Sequence, residues 1–454
     1  MYVADCKRLT RAGARKMMDT ATTAAEKAGV AIAVAIADAG GHLVMLERMD
    51  GGRFHTVHSS TTKAVCAASN KRPTTTKGAA GQDLDTAHAI GLALAAGPQR
   101  WTAMEGGYQQ HATTEDFRMS FEPVKVGCLG MGWWSDVLAD AIVKSGKLKI
   151  VSCYTRSDEK KQAFAKKYAC ATTASYEAML ADPQVEAIIN TTPNNVHLET
   201  TRAAAAANKH VFLDKPIANT VADGNAITEA CRKAGVVLAL GYQRRRETHF
   251  RWIKDKIDAG VFGKLVNAEA NISRDRLGKI DLSSWRYTAA GMPGGVMLQI
   301  GIHYADVLEY LMGPVKAVNG RFAQLVLPGD NPDVASLVLE HENGALSTLN
   351  ASYASASEYY LMNIYGKEAS AYYDLFTGLR WLKRGETRAE PVACAKNDAI
   401  VDELDEFAAA VRGQAAPEMD GAKSTRSLAV LLAGIQSARE GRRIEIADYL
   451  KQNR

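Results

Sequence analysis

Three short stretches of this chain carry residues that could do chemistry together. Residues 126–135 read VGCLGMGWWS, residues 211–219 read VFLDKPIAN, and residues 294–306 read GGVMLQIGIHYAD. In the first, Gly130-Met131-Gly132-Trp133-Trp134-Ser135 fits a G-x-G-x-x-small turn between an apolar strand and a helix. Gly130 allows a tight turn, Gly132 lets a pyrophosphate approach the backbone, and the helix N-terminus offers that anion free N–H groups. Ser135 stands where helix–strand packing needs only a small side chain. In the second, Asp214-Lys215-Pro216 closes an apolar strand, and ligands sit at strand ends on that side of a doubly wound sheet. A lysine there can donate to a hydroxyl or carbonyl oxygen and stabilise charge developing on it. Pro216 fixes the backbone, and a cis bond before it would aim the lysine. In the third, His303 offers an imidazole suited to accept an alcohol proton. Gln299, one helical turn earlier, shares its face. Singly, each signal is weak: glycines end strands for structural reasons, lysines are mostly solvated, and a histidine in an apolar helix is more often a satisfied core residue. In this order and spacing they indicate a nicotinamide-dependent oxidoreductase.

The end of the second strand selects the dinucleotide. NAD binders usually place an acid there to hold the ribose 2′-hydroxyl. Here the residues are Thr155-Arg156-Ser157, two hydroxyls and a guanidinium. A guanidinium takes a phosphate bidentately, so NADP is the preferred cofactor. In the competing reading Arg156 is solvated, Asp158 reaches the ribose, and the cofactor is NAD.

These side chains need a scaffold, and the pattern supplies one. From Val124, apolar segments at 124–129, 150–154, 187–190, 210–213 and 236–240 alternate with amphipathic helical stretches. That alternation predicts a parallel, doubly wound α/β sheet. Beyond about residue 246 the strands lengthen and alternate in polarity, at 264–274, 316–326, 335–340, 345–352 and 359–365, as in a mostly antiparallel sheet with one open face. A helix is expected over 296–311, and two more, over 401–412 and 425–440, return to pack on the parallel sheet. In front stands a small α/β segment. A helix begins after Thr10 with Ala14, Met17, Met18, Ala21 and Ala25 on one side, and strands near 31–37 and 42–48 flank the turn Asp38-Ala39-Gly40-Gly41. Two further helical stretches follow at 56–68 and 84–95.

Bulk properties narrow the partners. The 454 residues suggest about three folding units. A net charge of +5 with dispersed basic residues argues against nucleic acid. No run approaches the roughly 20 apolar residues that span a bilayer, and the polar start MYVADCKRLT is unlike a signal peptide. Seven scattered cysteines without a CxxC pair fit a reducing cytoplasm and argue against zinc.

From about residue 122 onward the chain resembles the Gfo/Idh/MocA oxidoreductases. The resemblance rests on GCLGMGWWS, on TTPNNVH at 191–197, on the family's Glu-Lys-Pro written here as Asp214-Lys215-Pro216, on GYQRR at 241–245, and on the His303 segment. It implies a Rossmann domain over 122–245, an α/β substrate and oligomerisation domain with a large, open, mostly antiparallel sheet over 246–400, and C-terminal helices over 401–454. It further implies a homo-oligomer (dimer or tetramer) built on that sheet, and a sugar, polyol or cyclic dihydrodiol as substrate. By position, Thr192, Pro193, Asn194 and His197 would line the nicotinamide ribose, with Asp214 and Gln243 also at the cofactor. Lys215 would be the central catalytic residue and His303 the proton acceptor or donor. Many polyol dehydrogenases of the family carry an aspartate four residues before the histidine, where this chain has Gln299. That disfavours inositol-type chemistry and leaves the base open. Arg244, Arg245 and Arg246, after the last Rossmann strand, could bind a substrate carboxylate such as an aromatic-acid dihydrodiol carries, and Arg286, after Trp285, is a further candidate pocket residue.

Residues 6–104 resemble the GlcG/HbpS family through IAVAIADAGGHLVMLERMDGGR at 32–53 and NKRPTTTK at 70–77. The copy reads as truncated, with a linker over 105–121. The family is linked to haem or small-molecule binding, and His42, His55, His58, His88 and His111 are the available ligands, at a spacing that matches no specific metal motif. The alternative to an enzyme is therefore a ligand- or haem-binding sensor on a catalytically weak dehydrogenase fold.

Overall fold

The computed structural model describes residues 11–38, 42–52, 55–70, 122–278, 281 and 284–454. The chain divides into two compact units, Met1–Ser120 and Phe121–Arg454.

In the front unit, the helix Arg11–Lys27 buries Ala14, Met18 and Ala25. Met17, expected on the same side, is instead 53% exposed, because it lies about 100° around the helix from Met18. Strands β1 (Ala33–Ala37) and β2 (Leu43–Arg48) form an antiparallel hairpin, and the helix His55–Asn70 follows. The expected helix at 84–95, the linker at 105–121, His88 and His111 lie outside the described residues, as does the His55 side chain.

The second unit holds two sheets. The first has six parallel strands: β3 (Val124–Leu129), β4 (Leu148–Tyr154), β5 (Ala171–Thr172), β6 (Ala187–Asn190), β7 (His210–Asp214) and β8 (Leu238–Gly241). Their spatial order is β5-β4-β3-β6-β7-β8. The chain enters at the centre, runs outward through β4 and β5, then crosses back to β6. The strand order thus reverses between β3 and β6, and a crevice opens beyond the carboxyl ends of those two strands. β6 and β8 are buried along their full length, as strands covered on both faces by helices must be. Three of the intervening helices start at side-chain caps: Ser157 accepts from the Lys160 N–H, Ser175 from the Ala178 N–H and Thr220 from the Asp223 N–H.

The second sheet has nine strands in the order β16-β15-β14-β13-β9-β12-β11-β10-β17. All neighbours are antiparallel except β9 (Leu265–Asp275) and β12 (Leu346–Ser352), which run parallel. β11 (Val334–His341) alternates buried and open residues along its length, the pattern of a sheet with one covered face. β13 (Ala354–Gly366) begins earlier than its apolar core suggests, and β14 (Ala369–Asp374), β15 (Gly378–Lys383) and the short β16 (Glu390–Pro391) and β17 (Ile444–Glu445) escape the sequence reading. The expected helix at 296–311 is two elements, a π-helical turn Met297–Gly301 and an α-helix Ile302–Met312.

The last helices do not both cover the parallel sheet. Ala399–Val411 packs there, with Phe407 edge-on to Phe212 of β7. Gly421–Glu440 bridges the two sheets. On one side Gly421 and Thr425 meet Thr228 and Gly224 of the helix Val221–Ala234; on the other Gly434 meets Gly320 of β10 (Val315–Ala323). Small residues at these crossings let the backbones approach, so both sheets share one large apolar core.

Candidate active site

The glycine turn follows β3 and opens the helix Trp133–Ser145. Gly130 has φ +87°, and a Cβ there would stand 3.0 Å from the Thr191 carbonyl, so a side chain would be both strained and crowded. At Gly132 a Cβ would meet nothing within 4 Å. The backbone therefore faces open space at the start of a helix that no side chain caps. A cradle of this kind fits a dinucleotide pyrophosphate. Met131 and Trp133 flank it, and Trp133 is 62% exposed. Ser135 does not face the cradle: it is buried and its hydroxyl donates to the Gly132 carbonyl at 2.7 Å. Its part is to brace the turn.

Thr155, Arg156 and Ser157 lie beyond the carboxyl end of β4. Ser157 is committed to its helix cap. Arg156 is exposed. Asp158, the acid of the competing NAD reading, is 87% exposed and pairs with Lys161 at 2.7 Å.

After β6, Asn190 Oδ1 accepts from the Thr192 N–H at 3.1 Å and its hydroxyl at 2.7 Å, which fixes the Thr192-Pro193-Asn194 turn beside the glycine turn. Asn194 donates to Asn219 at 3.1 Å. His197 departs from expectation. It is fully buried, with Nδ1 3.1 Å from the Pro216 carbonyl and Nε2 2.9 Å from the Thr192 carbonyl. It ties the Thr192 turn to the Lys215 segment from beneath and lines no cleft. Burial pushes its pKa down, against the pull of Asp214 and of those carbonyls.

Lys215 projects from the end of β7, and its bond to Pro216 is cis. Thr192, Asn194, Asp214, Lys215, Gln299 and His303 line one partly open chamber together with Trp133 and Trp134. The Lys215 ammonium donates to the Gln299 carbonyl at 2.9 Å. Burial lowers its pKa from 10.5 to about 8; Asp214 opposes the shift, while Arg274, Arg286 and Arg244 reinforce it. Asp214, also buried, is pushed up, an effect that Lys215 only partly offsets. His303 is 6% exposed and its Nδ1 has no hydrogen-bond partner. Burial, then the nearby Lys215, Arg244 and Arg274, hold its pKa well below 6.5, so the ring is neutral.

Two expectations need correction. The Gln299 side chain accepts from the buried Tyr353 hydroxyl, which occupies its Oε1, and its closest tie to Lys215 is the backbone carbonyl. Arg244 lies in an adjoining cavity, paired with Glu247 at 2.6 Å and stacked on Tyr360. Gln243 lines both cavities, and its buried Oε1 lacks a partner. Arg286 does line the chamber, its guanidinium 4.5 Å from the centre of the Trp285 ring. Sequence reading missed Arg274, Arg276, Trp285 and Met292, which complete the wall. They come from β9, the segment just after it and the 285–292 segment, which carry no local motif.

In the front unit His42 is exposed and lies 3.2 Å from Asp38, and His58 is exposed. Among the described residues no group of three or more metal-ligand side chains converges, and no helix is long and apolar enough to cross a membrane.

Three family models match the chain. An oxidoreductase-family NAD-binding Rossmann fold covers residues 124–242, a GFO/IDH/MocA C-terminal domain covers 250–372, and a haem-degrading-protein HbpS-like model covers 9–112. Among curated relatives, the uncharacterised oxidoreductase YrbE of Bacillus subtilis is 30% identical over 205 residues, 44% of this chain and 58% of that protein. The 1,5-anhydro-D-fructose reductase of Ensifer adhaerens is 28% identical over 307 residues, 66% of this chain and 91% of that protein. A solved oxidoreductase from Desulfitobacterium hafniense, provisionally described as NADPH-dependent, superposes with TM-score 0.69 at 32% identity, covering 72% of this chain and 99% of its own. With the parallel sheet, the glycine cradle and the Lys215 chamber in place, these matches establish that the chain is a Gfo/Idh/MocA-family oxidoreductase with an NAD(P)-binding Rossmann fold, preceded by an HbpS-like domain.

Proposed function

We propose that the chain is an NADP-preferring dehydrogenase or reductase acting on a carbinol carbon of a sugar, polyol or cyclic dihydrodiol. The observation that carries the chemistry is Lys215, half-buried in the chamber beside His303 and aimed by the Gln299 carbonyl at 2.9 Å. A bound nicotinamide supplies the two-electron exchange at the carbinol carbon. The protein must manage the proton and the geometry. With a pKa of about 8, Lys215 has a substantial neutral fraction at ordinary pH, so it can take the hydroxyl proton during oxidation and return it during reduction. His303, neutral and weakly basic, is better suited to orient the substrate oxygen through a hydrogen bond. That assigns the base to Lys215. Asp214, on the same strand end, opposes the fall in the lysine pKa.

NADP preference rests on exposed Arg156 and on Asp158 being held by Lys161. The test is a titration with NADPH and NADH read by quenching of Trp133 and Trp134. NADPH should bind more tightly, and Arg156→Glu should weaken it by roughly 10–100-fold, the worth of one charged hydrogen-bonding contact, while sparing NADH. Equal loss of both nucleotides would remove the assignment. Self-association through the nine-stranded sheet belongs to the same reading; a purified chain that sediments at the mass of one copy would remove it.

A further inference from the structure

Lys215, Arg274, Arg276 and Arg286 line the chamber, and among the described residues Asp214 is the only carboxyl group that lines it. Elsewhere the chain matches its buried cations carefully. Arg245 holds Asp306 through two contacts and reaches Glu418, Arg246 holds Glu406 at 2.6 Å, and Arg251 holds Glu418 at 3.0 Å. Arg274 differs: its nearest carboxylate oxygen, on Glu358, is 4.0 Å away, and its buried Nε has no hydrogen-bond partner. Arg286 stacks on Trp285, which leaves the in-plane donors of its guanidinium free to bind. Among the described residues, neither Arg276 nor Arg286 forms an ion pair. Like charges gathered on one partly buried wall without counter-charge repel one another and favour an anion between them. The anions of a dinucleotide do not supply it, since they would sit at the Gly130–Gly132 cradle and the Arg156 loop, and none of the three arginines belongs to either segment.

We propose that the substrate is an acidic sugar or polyol whose oxyanion, a carboxylate or a phosphate monoester, is held by Arg274, Arg276 and Arg286 while its carbinol faces Lys215 and His303. This rests on the dehydrogenase reading above and names the substrate class of that site. Planar guanidinium forks take either anion bidentately and fix the direction of the molecule as well as its charge. The anion also supplies the counter-charge the chamber lacks. A neutral analogue of the same shape would leave three cations unpaired and bind poorly.

The experiment uses the full chain with NADP and matched sets of substrates: D-glucose, D-glucuronate and D-glucose 6-phosphate; D-galactose and D-galacturonate; and the cis-dihydrodiols of benzene and benzoate. An acidic member should exceed its neutral partner in kcat/KM by at least about tenfold. Glucuronate ahead of the phosphate identifies a carboxylate, and the reverse identifies a phosphate monoester. Arg286→Ala and Arg276→Ala should lower kcat/KM for the acid by roughly 10–100-fold, chiefly through KM. Arg286→Lys should restore part of it, and NADPH affinity serves as the folding control. A neutral member equal to or better than its acid overturns the proposal, as does an acid-to-neutral ratio that the alanine variants leave unchanged. A parallel titration reads binding without turnover, by quenching of Trp285 with the same acids. Saturable quenching lost in Arg286→Ala supports the anion site even if no oxidation occurs. Nucleotide binding without quenching by any acid at millimolar concentration overturns it. Failure of nucleotide binding would sink the dehydrogenase reading separately, and the acid titration of the nucleotide-free protein would then decide the anion site.

Discussion

At the scale of residues, the proposed chemistry centres on Lys215, and its surroundings give that proposal a pH dependence with a definite sign. Asp214 stabilises its charged form, while burial and Arg274, Arg286 and Arg244 destabilise it, leaving a pKa of about 8. His303, neutral beside it, adds no charge. Oxidation needs the free amine, so kcat/KM for oxidation should rise with pH and level off above about 8. Reduction needs the ammonium and should fall over the same range. Lys215→Met should lower kcat by roughly 10²–10⁴-fold, abolish that ionisation and leave nucleotide affinity intact. A mutant profile that still turns over near the same pH would move the base elsewhere, with His303 the first candidate. Lys215 and His303 were legible because each sits in a short run whose neighbours name its element. Arg274, Arg276 and Tyr353 were not legible. Arg274 and Arg276 reach the chamber from β9 and the segment just after it, Tyr353 meets Gln299 from just beyond β12, and antiparallel register is not written locally. His197 was legible as a residue of the cofactor turn but not as a buried one, since its orientation depends on carbonyls 5 and 19 residues away.

At the scale of elements, what the sequence reading caught and missed follows from the kind of signal. Parallel strands appear as apolar runs bounded by helices, and β3 and β6 fall at their expected positions. The second sheet is harder, because β14 and β15 mix tyrosines, an arginine and small residues in short lengths. The segment 296–311 is apolar all round, so periodicity alone cannot reveal that its first turn is π-helical. That turn carries the Gln299 carbonyl that holds Lys215, in keeping with the tendency of π-turns to occur at functional sites. The bridging helix Gly421–Glu440 gives a sharper test. A Cβ on Gly320 would fall 2.2 Å from the Gly434 carbonyl oxygen, and two backbones cannot yield as a flexible side chain would. Gly320→Ala should therefore destabilise by about 1–3 kcal/mol, seen as a lower Tm, and loosen the contact between the helix and β10. An unchanged Tm would mean that the helix can move away freely, and that the two sheets are less firmly joined than their shared core implies.

At the scale of the whole molecule, the change of pattern near residue 124 marked where strand–helix alternation begins, and the chain divides at Ser120. The buried clusters follow the same division among the described residues. The front cluster is Ala14, Met18 and Ile36, packed with Val34, Val44 and Met45. The two large clusters draw only on residues from Val124 onward. Every residue assigned here to cofactor, proton transfer or anion binding also lies beyond Val124. A front segment whose described residues add neither core nor proposed site residues to the oxidoreductase unit should be dispensable for its fold and its nucleotide binding. A chain beginning at Phe121 should therefore melt in one cooperative transition at the Tm of the oxidoreductase unit in the full-length protein, and bind NADPH with the affinity of the full chain. Either outcome is informative about the fusion. Retention of both properties would make the HbpS-like domain a separate module whose ligand can be sought independently. A drop in NADPH affinity at unchanged Tm would mean that the front domain acts on the dehydrogenase site itself, and a drop in both would mean that the two units stabilise each other.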